Sequence, residues 1–562
     1  MILRKRTLPI VFIGVLGLLG PASAVMGQTI VVTAKSIKDL AGDLEYLVKT
    51  VAPEGDPNAE NLLGALKQFQ AGDLVKGLDQ SRGFGLAVTL PPDFPAGDPP
   101  SIVAAVPVTD LGALLDSVGG LGIAVDDKPG VEGFSHKVTA PDGNTSLFVL
   151  QSKGYALFSL VPAGADKLKA IDPASWAPKG QPGATLAARV RIAELPQAIK
   201  EQFLGQFKAS MEQQEGRKPG EPDAQYQGRI AAQKAGESTI TALVRDGDSI
   251  AMAFDLDRKT SEMSLELTIA GRPGTEMARA LGAFQGRRSR FQDLGTGGPL
   301  AVWASLPVAK VIREGVVRGL DSAQKGELPA GVTTPEQRKL FGRFLELVKS
   351  NLEAEELDAG LAFRRGAAGD GTSGHYTMLV GMKVRDGKSF DRLFRDSIAQ
   401  VKPEEKGIQV TLDAAKAADG TAIHRLTGPF DKNDPKVTRI LGKPTLAFAF
   451  RDDAIVGAFG EDSTAAVRKV VEGLSTPPAS GPGSAGPIAL IARLAGLDAF
   501  GESDEQREAF RRASAETFRG EAAKKDRFSI TLKGEGAAIR LRLAVDVPAL
   551  KFFAMIGHSS KD

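Results

Sequence analysis

Ile30-Val-Val-Thr-Ala-Lys-Ser-Ile37 and Ala301-Val-Trp-Ala-Ser-Leu-Pro-Val308 carry one pattern twice, and that pattern sets the fold. Each is a short β-prone run that passes into apolar residues at helical spacing. Leu40, Leu44, Leu47, Val48 and Val51 follow the first; Val311, Ile312, Val316 and Leu320 follow the second. The two stretches lie 271 residues apart, which places Trp303 where the first half has Val32. Each predicts a strand followed by a helix.

Further pairs return in the same order. Ser101-Ile-Val-Ala-Ala-Val-Pro-Val-Thr-Asp110, leading into Leu111, Leu114 and Leu115, matches Tyr376-Thr-Met-Leu-Val-Gly-Met-Lys-Val-Arg-Asp386, leading into Phe390, Leu393 and Phe394, at an offset of 276. Phe134-Ser-His-Lys-Val138 matches Ala422-Ile-His-Arg-Leu426 at 288, and Leu186-Ala-Ala-Arg-Val190 matches Leu490-Ile-Ala-Arg-Leu494 at 304. After the third pair come two strand-like segments and a helix in both halves: Ser146 to Val161 with a helix over 163–170, and Thr445 to Gly460 with Ser463 to Leu474. Offsets that rise steadily in chain order describe insertions accumulating in a repeated unit, so the sequence predicts a tandem duplication of about 270 residues, split at Gly295 to Gly298. Turn clusters at Pro173 to Gly183 and Pro477 to Gly486 divide each half again. The expected organisation is 28–178 and 182–296 in the first half, then 297–476 and 486–562 in the second.

Alternating apolar residues at Ser249 to Leu256, Met263 to Ile269 and Ala538 to Val545 predict antiparallel strands with one wet face. Single helices after strands, packed on one face, make the expected class α+β. The polar stretches Lys200 to Gly236 and Ser503 to Lys525 predict solvent-facing helices or a surface excursion.

Residues 1–24 have the layout of a signal peptide. Arg4, Lys5 and Arg6 precede an uncharged apolar run from Leu8 to Gly20, and Ala22-Ser-Ala24 supplies small residues for cleavage. The run is shorter than the ~20 residues needed to span a bilayer, and nothing later in the chain is a transmembrane candidate. The protein is expected to be exported, periplasmic or extracellular.

The 562 residues contain no Cys, which excludes a disulfide scaffold, a thiolate nucleophile and thiolate metal sites. Lys plus Arg number 70 against 68 Asp plus Glu, a balance that argues against nucleic acid as a partner. Aromatic residues are mostly Phe, 27 against 4 Tyr and 2 Trp, which disfavours a sugar-stacking surface and suits apolar cores or an apolar cleft.

Several motifs fail on context. Gly369-Asp-Gly-Thr-Ser-Gly374 has dinucleotide spacing but opens a strand instead of closing one, and Gly481 to Gly486 sits in a linker. Gly387-Lys-Ser389 lacks the first glycine of a phosphate loop, since position 382 is Met. Asp255, Asp257 and Glu262 lack the glycine and the distance of a calcium loop. Close acids such as Glu356 with Asp358, or Asp498 with Glu502, read as solvated surface. No elbow or triad pattern marks a nucleophile. His136 and His424 occupy matched places in the two halves and are the candidates for a duplicated ligand position. A catalytic histidine needs an orienting partner and a reacting group, and no nearby motif supplies either, so both are expected to be structural. No catalytic residue, metal ligand or cofactor is expected.

With its signal peptide and the strand and helix from Ile30 to Val51, the chain resembles the large exported proteins of planctomycete-like bacteria. That resemblance implies a cell-envelope setting and brings no site residues with it. The leading expectation is an exported envelope protein with a structural or binding role. The alternatives are a carrier of a lipid or other amphiphile, and an envelope hydrolase; the partner would be an amphiphile or another envelope protein.

Overall fold

The computed structural model describes residues 29–52, 55–72, 75–161, 164–176, 183–214, 216–221, 223–308, 313–317, 320, 334–353, 356–365, 375–401, 407–430, 435–474 and 486–559. The signal segment, the glycine turn at 369–374, Val311, Ile312 and the linker from 477 to 485 lie outside them. The chain forms two compact units, Met1–Leu281 and Gly282–Asp562. Residues 282–296 therefore belong to the second unit, where Phe291 and Leu294 are buried with Ala301 and Trp303.

The first unit has ten described strands, all antiparallel: β1 (Ile30–Ala34), β2 (Phe84–Thr89), β3 (Ser101–Pro107), β4 (Ala124–Asp126), β5 (His136–Thr139), β6 (Ser146–Ser152), β7 (Tyr155–Ser159), β8 (Leu186–Val190), β9 (Gly247–Asp257) and β10 (Glu262–Gly271). They lie side by side in the order β4-β5-β6-β7-β3-β2-β1-β8-β9-β10. β8, which follows the turn cluster near 173–183 in the chain, pairs directly with β1, so strands from before and after that cluster share one sheet.

The second unit repeats the order. Its strands are β11 (Leu300–Pro307), β12 (Glu356–Arg365), β13 (Tyr376–Lys383), β14 (Gln409–Lys416), β15 (Ala422–Thr427), β16 (Thr445–Arg451), β17 (Ala454–Gly460), β18 (Ile488–Arg493), β19 (Arg527–Glu535) and β20 (Ala538–Asp546). They run β14-β15-β16-β17-β13-β12-β11-β18-β19-β20, again antiparallel throughout.

Strand registers give residue equivalences without superposition. The β6–β7 hairpin pairs Ser152 with Tyr155, and the β16–β17 hairpin pairs Arg451 with Ala454. From those hairpins Ser159 faces Val103 as Ala458 faces Leu379; Val103 faces Ala87 as Leu379 faces Ala362; and Ala87 faces Val31 as Ala362 faces Ala301. The 276 offset of the second sequence pair is the one the ladders show.

The first sequence pair needs a shift of one residue. Val31 corresponds to Ala301, and Thr33, not Val32, to Trp303, an offset of 270. A slip of one residue turns every side chain to the other face. Val31 is 2% exposed and Ala301 3%, whereas Val302, its partner at an offset of 271, is 37% exposed. The last pair shifts by two residues, to 302, which keeps the face.

Helices cover both faces of each sheet, not one. In the first unit α1 (Ile37–Val51), α2 (Pro57–Ala71), α3 (Leu111–Gly119) and α4 (Ala165–Ala170) are interleaved with strands. Leu111, Leu114 and Leu115 of α3 pack on Val149 and Ala156, while Leu168 of α4 packs with Leu150 and Leu157. Ala156 and Leu157 are successive strand residues and point to opposite faces. The alternation read from β9, β10 and β20 does not extend to the middle of the sheet: four successive residues of β3, Ile102 to Ala105, are buried. The polar stretches between β8 and β9, and between β18 and β19, are helical: α5 (Gln197–Glu212) and α6 (Asp223–Asp246) in the first unit.

In the second unit α7 (Pro335–Leu352) precedes β12, α8 (Gly387–Val401) follows β13, α9 (Ser463–Leu474) follows β17 and α10 (Asp504–Thr517) lies between β18 and β19. Val467, Val470 and Val471 of α9 cover Ala447, Ala449 and Val456, while Phe394 of α8 meets Phe448 and Phe450 on the other face. Helices α3 and α8 start alike. Asp110 accepts a hydrogen bond from the Ala113 N–H at 3.1 Å, and Asp386 accepts one from the Ser389 N–H at 3.0 Å, N-caps 276 residues apart.

Each sheet carries a glycine against which an aromatic residue packs closely, by the indole ring at one and by the Cβ at the other. A Cβ on Gly85 would meet Trp176 at 2.8 Å, and one on Gly360, its ladder equivalent, would meet Phe291 at 2.7 Å. Trp176 arrives from the short helical turn Pro173–Trp176 that follows α4 and Phe291 from before β11, so one packing demand is met from two places in the chain.

Candidate functional site: two apolar pockets and a polar annex

The caps that start α3 and α8 fix which face of each helix looks at the sheet, and both helices leave a cavity there. In the first unit it encloses about 550 Å³ between the sheet and helices α1, α2 and α3. In the second it encloses about 540 Å³ between the sheet and helices α7 and α8.

Six positions of the two linings correspond. Leu114, Ser117, Val118 and Leu121 face the first cavity from α3 and the residues just after it; Phe390, Leu393, Phe394 and Ser397 of α8 face the second at the same 276-residue offset. Val106 and Pro107 of β3 correspond likewise to Met382 and Lys383 of β13. Spacing of i, i+3, i+4 and i+7 is what puts four side chains on one helical face. Volumes of this size fall within the ~300–1,000 Å³ typical of small-molecule sites.

The two walls differ in polarity. Ser117 is the one side chain with a polar group in the first lining, and its hydroxyl is spent on the Ala113 carbonyl at 2.9 Å. The second lining includes Asn351, Glu356, Lys383 and Ser397, and Glu356 and Lys383, at adjacent strand ends, form its rim beside the polar cavity.

A polar cavity of about 650 Å³ in the second unit shares Glu356 and Lys383 with that rim. Glu356 takes hydrogen bonds from Arg287 at 2.9 Å and Ser305 at 3.2 Å, and pairs with Lys383. Burial raises its pKa, but the two cations overcome that and hold the carboxyl below its ordinary value. Asp358, 3% exposed, accepts from the Ser289 hydroxyl at 2.6 Å and the Arg290 N–H at 3.0 Å. Burial pushes its carboxyl up despite those bonds. The reading of Glu356 and Asp358 as solvated surface is thus corrected: β12 turns Asp358 into the interior, and the ligands of its carboxylate come from residues 289 and 290, which no local pattern indicates.

The ladders put His136 and His424 at one position. His136 faces Val149 and His424 faces Phe448, and those two are equivalent. Their environments diverge. His424 is 1% exposed; its Nδ1 accepts the Asp413 N–H at 3.2 Å, which places the ring proton on Nε2, 2.9 Å from Asp391 Oδ1. Burial pulls its pKa below 6.5, outweighing Asp391. With both nitrogens committed, the ring has no lone pair left to take a proton from a nucleophile. Phe394, Phe448 and Phe450 surround it at centroid distances of 5.5, 5.6 and 6.0 Å, and Phe394 and Phe450 also line the apolar cavity. His136 is half-buried, with Nδ1 2.9 Å from Ser135 Oγ.

Among the described residues no group of three or more His, Asp or Glu side chains is arranged to hold a metal ion, and no helix is long and apolar enough to cross a membrane. The cavity residues were missed at the sequence level although Leu114, Phe390, Leu393 and Phe394 belong to the matched helices; the signal was there in apolar positions retained at a constant offset.

No protein-family model matches the chain, and no curated protein and no solved structure matches it significantly.

Proposed function

We propose that this is an exported, duplicated binding protein that holds small apolar or amphiphilic molecules, one in each unit. The observation that carries the reading is the recurrence of an apolar cavity of matching size beside equivalent helices, lined at four matched positions, three on α3 and one just past its end in the first unit and all four on α8 in the second. Chance voids between poorly packed elements would not keep the same addresses in two units. The common strand order and the ladder equivalences favour a tandem duplication that carried the cavity with it. Export rests on the pattern of residues 1–24, and an envelope setting suits a carrier whose ligand is poorly soluble in water. A hydrolase is disfavoured because the buried His424, paired with Asp391, has no ring nitrogen to spare.

Titration with a dansyl-labelled fatty acid tests the proposal. Ser117→Trp and Ser397→Trp each drive an indole into one cavity from a helix that otherwise stays intact. The unmodified protein should bind two equivalents, either variant one, and the double variant none. Absence of binding, or binding indifferent to both substitutions in folded protein, would overturn it.

A further inference from the structure

The second unit departs from the first at the end of its sheet, where two cavities on opposite faces meet. Glu356 begins β12 and Lys383 ends β13, so both side chains sit at the same end of adjacent strands. Their chain neighbours Leu357 and Met382 turn into the apolar cavity, while Asp358 turns into the polar one. Glu356 and Lys383 line both. In the first unit Pro107 stands where Lys383 does, and the described lining of its apolar cavity holds no charged side chain.

The polar cavity is cationic in balance. Arg288, Arg290, Arg364, Lys383 and Lys469 line it against Asp293, Glu356 and Asp358. Arg364 spends its donors on the carbonyls of Asp293 and Leu294 at 2.6 and 2.7 Å instead of on a carboxylate. Lys469 has no carboxylate partner among the described residues. Where the two cavities meet, one carboxylate, Glu356, is shared by two cations, Arg287 and Lys383, with the buried Asp358 carboxyl close by, so the cationic excess lies deeper in the polar cavity, at Arg288, Arg290, Arg364 and Lys469. An anionic group arriving at that junction could take over Lys383 while Arg287 and Ser305 keep Glu356 satisfied.

We propose that the second unit binds an anionic amphiphile in two parts, with its hydrocarbon chain in the apolar cavity and its phosphate or carboxylate head passing the Glu356–Lys383 rim into the cationic cavity. This rests on the binding function proposed above and adds the class of ligand. The first unit, with its almost wholly apolar lining, selects for the chain alone.

Isothermal calorimetry on the full chain carrying Ser117→Trp, which leaves the second unit's site open, separates the two claims. The probes are dodecyl phosphate, dodecanol and inorganic phosphate. Dodecyl phosphate should bind about tenfold or more tighter than dodecanol, as expected when an ion pair forms in a partly dry site. Lys383→Met combined with Lys469→Met should abolish that preference, with the affinities for dodecyl phosphate and dodecanol measured side by side in the same variant and falling within about twofold of each other. Equal binding of the phosphate and the alcohol, or a preference that survives the double substitution, overturns the two-part site while the carrier reading stands. Inorganic phosphate binding as tightly as dodecyl phosphate also overturns it, marking a free-anion site. No binding by either alkyl probe defeats both readings together.

Discussion

Replacing His424 with Ala should destabilise the second unit far more than His136→Ala destabilises the first, although the two residues share one position in equivalent sheets. Deleting a fully buried side chain of this size costs ~2–5 kcal/mol, the transfer loss plus the void left among neighbours. Those neighbours are the rings of Phe394, Phe448 and Phe450, which cannot follow without leaving the strands and the helix that hold them. The two lost hydrogen bonds add little. Asp413 is exposed, so water can take its N–H, and Asp391 keeps Arg395 at 3.1 Å. The expected cost is about 2–4 kcal/mol, roughly a 30- to 900-fold rise in the local opening constant. His136, half-buried and with its ring bonded to the neighbouring Ser135, should cost under about 1 kcal/mol. A chain of two units need not unfold in two states, so the assay is native-state hydrogen exchange read on peptides from β14 to β16 and from β5 to β6. A pH series gives the sign. The ring is charged more readily when unfolded than in its folded place between Phe rings, facing Asp391, Asp413 and Arg395. Its contribution is therefore complete above pH 6.5 and lost as pH falls below that value toward the depressed folded pKa, and His424→Phe should remove this acid slope. Equal small losses for both alanine variants, or an acid slope unchanged in His424→Phe, would refute the assignment of His424 as a neutral, buried framework residue.

Two further outcomes follow from packing and charge in the first unit. Trp176→Ala should cost ~3–5 kcal/mol, and Gly85→Val should also be destabilising because its side chain meets the Trp176 ring; calorimetry of the double variant should show a loss smaller than the sum, since the valine then occupies the space the indole vacated. Lys35 pairs with Asp255 at 2.8 Å and Asp43 at 3.2 Å; burial lowers its pKa, but the two carboxylates overcome that and hold it above 10.5, so its contribution is full below pH 10.5 and is lost as pH rises through the folded value. Thermal melts should accordingly show Lys35→Met destabilised at pH 7 to 9, with the gap to the unmodified protein closing in stronger alkali.

How much of this fold can be read from the chain depends on what each residue pattern encodes. Strand followed by helix, and the order of the matched segments, survive insertions because they depend on local apolar periodicity. Register does not. The runs Ile30 to Val32 and Ala301 to Trp303 are apolar at successive positions, so sliding one against the other by a residue costs nothing in similarity, yet it exchanges the buried Val31 for the half-exposed side of the sheet. The Asp110 and Asp386 caps pin α3 and α8 to their strands, which is why the 276 offset matches the ladders. Two-sided burial was hidden for a related reason. Alternation is visible in β9, β10 and β20, but in β3 an unbroken apolar run shows only that both faces are covered, not by which helices.

The histidines show why a shared position does not carry a shared role. The environment of His424 is made by Asp391, Phe394, Arg395, Phe448 and Phe450, none of them a chain neighbour. At the equivalent places around His136 stand Leu115, Val118, Gly119, Val149 and Gln151. The carboxylate that would receive a ring proton is a leucine, the arginine behind it is a glycine, and three phenyl rings have become two valines and a glutamine. An imidazole without that acceptor is better left in contact with water than sealed in, because burying an unpaired polar ring costs more than the packing returns. His136 accordingly remains half-buried. The same substitutions shape the cavities: with Val118 in place of Phe394 and Pro107 in place of Lys383, the first unit lacks both the aromatic wall that hides His424 and the charged rim that gives the second pocket its polar exit. The two units share a frame of strands and caps, and they differ in a handful of side chains on neighbouring elements that set the polarity of each cavity.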